Sequence, residues 1–370
     1  MTTAHTSTEH PSQEHPSPDH PAAPDAAGAP FDPGAAAHLY RLAFGFVPAQ
    51  MIHVAVRLRL PDLLAERTRT AEDLAAEAGV QAQALRRVLR GLASLGVVTE
   101  TAEGFGLAPA GQLLRSDVPH SLRPMLLPYF DEGIWAAWGG LLDAVRTGRP
   151  SIETVTGGPV FAYFEQHPQL GAEFHAAMSV SAQAEAWAVA EAYDFSDVST
   201  VVDVGGGDGT LLTGLLTRHP HLRGVLADTA QGVAGARDKL ADAGVGERCE
   251  VVPGDFFASV PRGGDRYVIK SVLHDWDDDR CVDLLRNCRA AMGDTGRVMV
   301  VEIVAPPVVD AGTDPFLAVS DLTLMVLTPG RERTADEFDE LFRRAGLELV
   351  GRSGPLGFSG YRIIEARSSR

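Results

Sequence analysis

Hydrophobic and polar positions divide the 370-residue chain into stretches of different texture. Residues 1–33 are Pro, Ser, His and acid, and a five-residue repeat ends at His10, His15 and His20. With almost nothing to bury, this segment is expected to be a disordered tail. Its histidines are available to metal, but a flexible chain preorganises no ligand geometry, so no metal role is expected. From Gly34 the pattern changes. Leu39, Leu42, Phe46, Val47, Met51, Val54 and Leu58 recur at helical spacing. That wide face, rich in Phe and Met, calls for a core or a second subunit to cover it.

A compact helical pattern continues to residue 125. Thr70-Ala-Glu-Asp73 predicts a capped helix start, and Gly79 its end. Gln81 to Leu95 predicts the next helix, stopped at Gly96. Val97–Thr99, a Glu103-Gly104 turn and Phe105–Leu107 predict a hairpin, and Pro109 opens one more helix. Helix, turn, helix and hairpin make a winged-helix domain of residues 34–125. Arg86, Arg87 and Arg90 stand where a DNA reader would carry contacts, so a DNA-binding regulator is a rival reading.

Residues 126–195 predict a helical linker whose aromatics, Trp135, Trp138, Phe161, Tyr163, Phe164 and Phe174, serve a core or wall a pocket. From Thr200, apolar runs alternate with helical stretches. Val201–Val204, Val225–Ala227, Val251–Val252, Tyr267–Ile269, Val298–Val301, Leu347–Val350 and Tyr361–Ile364 predict strands. The expected fold of residues 126–370 is α/β: a doubly wound, Rossmann-like, largely parallel sheet buried on both faces.

Composition narrows the function. Length predicts two domains, and 45 % hydrophobic residues suffice for their cores. Acids outnumber bases by 49 to 32, and a net charge of −17 repels phosphate backbones, so no nucleic-acid partner is expected. Cys249, Cys281 and Cys288 lack metal-ligand spacing and are too few for a disulfide framework, which fits a reducing cytoplasm. The longest apolar run, residues 298–309, is broken by Glu302 and Pro306-Pro307, so no membrane span is expected. No basic region precedes an apolar one at the start, so no secretion signal is read.

The chemistry begins where the first sheet strand ends, at Asp203-Val-Gly205-Gly206-Gly207-Asp208-Gly209. A dinucleotide fingerprint would place its third glycine at residue 210, but Thr210 stands there. The Gly-x-Gly-x-Gly loop instead resembles the S-adenosylmethionine loop of class I methyltransferases. No Lys-Ser/Thr follows, so it is not a P-loop. Asp228 ends the next strand, where a carboxylate can accept both ribose hydroxyls. Asp255, in Gly-Asp-Phe-Phe, ends the third, where adenine should lie with Phe256 against its face. Either acid alone would read as a helix cap; with Asp203 and the glycines at matching strand ends, they read as a cofactor site.

Lys270-Ser-Val-Leu-His274-Asp-Trp276 follows the fourth strand, and Gly330-Arg-Glu332-Arg-Thr334 lies near the end. In this order the motifs resemble the plant-type O-methyltransferase family, which includes bacterial enzymes of aromatic natural-product biosynthesis. The resemblance covers the chain after its tail. It implies a homodimer formed through the winged-helix domain, S-adenosylmethionine as cofactor, and no metal. It makes His274 the general base, with Glu302 and Glu332 orienting its ring. It places Lys270 and Trp276 beside the cofactor, and Phe174, Met178 and Asp321 toward the acceptor. Asp277, Asp278 and Asp279 read as a helix start rather than as metal ligands.

An acceptor phenol has a pKa of about 10 against about 6.5 for histidine, so complete proton transfer would be uphill by about 5 kcal/mol. Neighbouring carboxylates would narrow that gap. Some relatives put this fold to hydroxylation, decarboxylation or rearrangement; the triad of His274, Glu302 and Glu332 favours methyl transfer.

Overall fold

A computed structural model describes residues 31–356 and 360–369. The expectation for the histidine repeat lies outside the described residues. The chain divides into two compact units, Met1–Val47 and Pro48–Arg370.

In the first unit, the helix Pro33–Ala43 starts where Asp32 Oδ1 accepts from Gly34 N at 2.8 Å and Pro33 supplies a preset φ. Leu39, Tyr40 and Leu42 lie exposed on it. The helical stretch Pro33–Arg57, with a mean hydropathy of 1.3, has the length and composition of a membrane-crossing helix. Its apolar positions are interleaved with alanines, which read as filler in the helical stripe yet raise the hydropathy.

The second unit opens on the expected helices and hairpin. Thr70 Oγ1 accepts from Asp73 N at 3.1 Å to cap Ala71–Ala78, and Gly79 ends it at φ +67°. The helix Ala82–Ser94 packs Leu85, Leu89 and Leu92 against Leu74, Val98 and Phe105. Strands β1 (Val98–Thr101) and β2 (Gly104–Leu107) pair antiparallel. Arg86 is bound to Glu72 and Arg90 to Glu100, so two of the three candidate DNA contacts are neutralised by acids of the same unit.

Five helices from Glu132 to Ala192 follow. Ile134, Ile152, Val160, Phe164 and Leu170 form a core of their own among them.

The main sheet contains β3 (Thr200–Val204), β4 (Arg223–Asp228), β5 (Cys249–Pro253), β6 (Arg266–Lys270) and β7 (Arg297–Ala305), all parallel. The two-residue β8 (Arg333–Thr334) joins β7, and β9 (Leu347–Arg352) and β10 (Tyr361–Ser368) complete the sheet antiparallel. The order is β5-β4-β3-β6-β7-β10-β9. Alternate residues feed opposite layers. Val201, Val268, Met299 and Val301 meet the helices around Val189, Leu212 and Leu240. Val202, Tyr267, Val298 and Val300 meet those around Leu285 and Phe342. Because five strands run parallel, their carboxyl ends share one edge, where such folds bind ligands.

Candidate active site

The loop after β3 turns on three glycines in the left-handed region, Gly205, Gly207 and Gly209, at φ +74°, +57° and +80°. Asp228, at the end of β4, accepts from Gly207 N at 2.8 Å and so fixes the loop. Asp208 holds the loop's far side: Lys239 donates to its Oδ2 at 2.6 Å, and Ser179 and Thr210 also bond it. Asp255 accepts from Phe257 N at 2.8 Å beyond β5. There Phe256, Phe257 and Trp276 form an aromatic corner, with Phe257 and Trp276 edge to face at 4.7 Å. Asn287 pins that corner by donating to the carbonyls of Phe256 and Phe257 at 3.0 and 2.7 Å.

After β6 the chain reverses at Ser271, a non-glycine residue held at φ +52°. Ser271 Oγ lies 2.8 Å from the Tyr361 hydroxyl and 3.1 Å from Lys270 Nζ, and Lys270 reaches Glu185 Oε2 at 3.9 Å. The chain then enters a short 3-10 turn, Leu273–Asp275, that carries His274. Glu302 projects from β7 beneath this turn. Its Oε1 accepts from the backbone N–H of Val272, Leu273 and His274 at 3.0, 3.0 and 3.4 Å. Its Oε2 lies 3.5 Å from His274 Nδ1, and Glu332 Oε1 lies 3.3 Å from the same nitrogen. Glu332 is itself held: Ser320 donates to its Oε1 at 2.5 Å, and its N–H donates to Asp321 at 2.9 Å. Both acids therefore face Nδ1, which leaves Nε2 the free basic nitrogen, with Asp275 as its nearest acid at 3.9 Å.

Charge in this layer is costly to bury, and the shifts follow. Burial opposes protonation of His274, but Glu302, the bond from Glu332 and Asp275 outweigh it and raise its pKa to about 10. Burial pushes Asp203 up to about 7, with Asp228 adding to it, and Asp275 up to about 6. Glu185 and Glu302 are raised for the same reason, and Lys270 is lowered.

The cofactor candidates Asp203, Gly205, Gly207, Asp228, Asp255, Phe256, Lys270 and Trp276 all lie along the strand ends. His274, Glu302 and Glu332 meet as one cluster. The acceptor candidates do not form a unit of that kind. Phe174 stacks on Phe164 at 4.6 Å, Met178 is open to solvent, and the Asp321 carboxylate is spent on the Glu332 backbone. Sequence reasoning missed Lys239, Glu185, Asn287, Tyr361 and Arg333. For the lysines a compositional signal existed: Lys239 and Lys270 are the two lysines of the whole chain, and both stand at this edge.

Buried acceptors without a hydrogen-bond partner, Asp203 Oδ2 and Glu185 Oε2, remain beside the loop, and open space lies where a Gly207 Cβ would stand. A ligand bearing hydroxyls and an ammonium, brought close to the backbone, fits both observations. The comparisons agree. Residues 138–348 match the O-methyltransferase domain, and residues 40–117 the O-methyltransferase dimerisation domain. A phenazine O-methyltransferase of Lysobacter antibioticus is 42 % identical over 331 residues, covering 89 % of this chain and 95 % of its own. An 8-amino-8-demethylriboflavin N,N-dimethyltransferase of Streptomyces davaonensis is 38 % identical, covering 90 % and 96 %. The structure of an O-methyltransferase of neocarzinostatin biosynthesis, complexed with S-adenosylmethionine and 2-hydroxy-5-methyl naphthoic acid, is 33 % identical. It aligns at a TM-score of 0.77 over 87 % of this chain and 96 % of its own. The chain thus belongs to the O-methyltransferase family, an S-adenosylmethionine-dependent enzyme with a dimerisation domain ahead of a class I catalytic domain.

Proposed function

We propose that this enzyme, a cytoplasmic homodimer, methylates a phenolic hydroxyl of a small aromatic secondary metabolite, with His274 as general base. The observation that carries this reading is the pair of buried carboxylates on His274 Nδ1. In the neutral ring they favour the tautomer with its proton on Nδ1, and they lift the basicity of Nε2 to that of a phenol, so transfer to the deprotonated ring, uphill for an ordinary histidine, becomes nearly level.

Bound S-adenosylmethionine supplies an electrophilic methyl on a sulfonium, which needs no further activation. Asp228 would hold the ribose, Asp255 and Phe256 the adenine, and Gly205, Gly207, Asp203, Lys270 and Trp276 the remainder. His274 Nε2 takes the hydroxyl proton as the oxygen attacks, and Glu302 and Glu332 balance the imidazolium that results. An amine acceptor already has a free lone pair and would have less use for such a base. Phe316 and Val319 lie exposed on the helix Pro315–Leu327 beside Ser320 and Asp321, which hold Glu332; that apolar face, with Phe174 and Met178, suits an aromatic acceptor. Free thiols at Cys249, Cys281 and Cys288 suit the cytoplasm. Paired arginines on the winged helix and the net charge of −17 speak against DNA.

The test is S-adenosylhomocysteine release with product mass across a panel of phenols, aminophenols and naphthoates. A hydroxyl methylated by the wild type, with a rate that climbs with pH above neutrality and falls about a hundredfold or more in His274→Ala, is expected. The ligand atoms of His274, Glu302 and Glu332 lie within 4.8 Å of one another, near enough to chelate a divalent ion, so EDTA is included and should leave the rate unchanged. Methylation of nitrogen, a hydroxylated or rearranged product, or full activity in His274→Ala would overturn the reading.

A further inference from the structure

The turn that carries His274 is gripped from two sides. Glu302 takes its N–H groups, as described. Its carbonyls are taken by Arg333, whose guanidinium is fully buried. Nη1 donates to Leu273 O at 2.8 Å and Nη2 to Trp276 O at 2.7 Å. Nε and Nη2 also donate to Asp278 Oδ1 at 3.1 and 2.8 Å. The Cys281 thiol adds a bond to Leu273 O at 3.1 Å. Arg333 follows Glu332 directly, so one short segment reaches the ring with one residue and the backbone under the ring with the next.

A buried arginine is commonly just a satisfied core cation. This one differs in where its donors go. Two of its nitrogens span the residues flanking the His274-Asp275 pair, and a carboxylate fixes the plane of the fork. A planar fork reaches the two carbonyls and the acid from three separate nitrogens at fixed angles, whereas an ammonium must reach all its acceptors from one nitrogen. Charges that face the His274 ring come from every neighbouring element: Glu302 from β7, Glu332 ahead of β8, Asp275 from the turn itself, and Lys270 behind Glu302 from β6.

We propose that Arg333 is a positioning residue for the base: its fork holds the His274 turn against the Glu302 and Glu332 carboxylates. The proposal rests on the reading of His274 as base, but its test does not. Full-length protein labelled with ¹⁵N-histidine is titrated by NMR, the His274 signal being the one lost in His274→Ala. Arg333→Lys keeps the charge and removes the fork. Its ring should drift from the two acids, and its pKa should fall by about one unit or more toward the ordinary value. S-adenosylhomocysteine affinity, read by calorimetry, separates this from a general loosening of the edge where the fork also holds the Trp276 carbonyl: lost affinity with an unmoved His274 titration overturns the proposal. An unchanged His274 titration in folded Arg333→Lys overturns the proposal. Should that variant fail to fold, the part-exposed Asp278→Asn, which frees the fork's plane, decides between the same two outcomes. Activity in His274→Ala would sink the base and leave the grip standing; an unmoved titration would sink the grip alone.

Discussion

Asp203 ends β3 with its side chain wholly inside the protein and one oxygen without a partner. Its proton is held up to about 7, well above the unfolded value near 4, so the folded state binds that proton more tightly. The linked stability is full below about pH 4 and is lost as pH rises through about 7. Asp203→Asn removes the titration. Between pH 5.5 and 8.5, without cofactor, the melting temperature of the variant should gain several degrees on wild type, read by differential scanning fluorimetry. Parallel melting curves would show that Asp203 does not titrate there. At this scale the sequence exposed the groups proposed to do chemistry and hid those that hold them. His274, Glu302 and Glu332 are legible because short motifs mark them. Arg333, Asn287 and Tyr361 act on backbone carbonyls or on one hydroxyl, and no spacing in the chain announces such a contact.

Elements were legible where periodicity or punctuation was strong. Thr70 and Gly79 delimit their helix as the cap chemistry requires, and seven apolar runs of the catalytic half became strands. The exception is β8, whose two residues are too few to show an alternation. Its placement depends on Gly330. A Cβ there would overlap the carbonyl oxygen of His274, so the segment carrying Glu332 can approach His274 only through a glycine. Gly330→Ala must push the two segments apart. A loss of about 1–3 kcal/mol in denaturant unfolding is expected, as for other overpacked sites, together with a fall of about tenfold or more in methyl transfer. Wild-type turnover in that variant would show that the separation of the two segments is immaterial.

At the scale of the molecule, the helix Pro33–Ala43 exposes Leu39, Tyr40 and Leu42, and the dimerisation match begins at residue 40. On the proposed homodimer this face would lie between subunits. Leu39→Glu with Leu42→Glu should then shift the sedimentation of the full chain toward monomer; an unchanged dimer would place the interface elsewhere. The two-domain order was legible from composition and texture, as was the apolar face that recurs at helical spacing from Leu39. The scarcity of lysine has a practical consequence. Lys270 is buried, and Lys239 is bound to Asp208 at the loop after β3. The lysine side chains therefore give amine-directed reagents little surface handle. Glutaraldehyde would under-report a dimer, and slow acylation of Lys239 would report on the hold that Asp208 keeps on its ammonium.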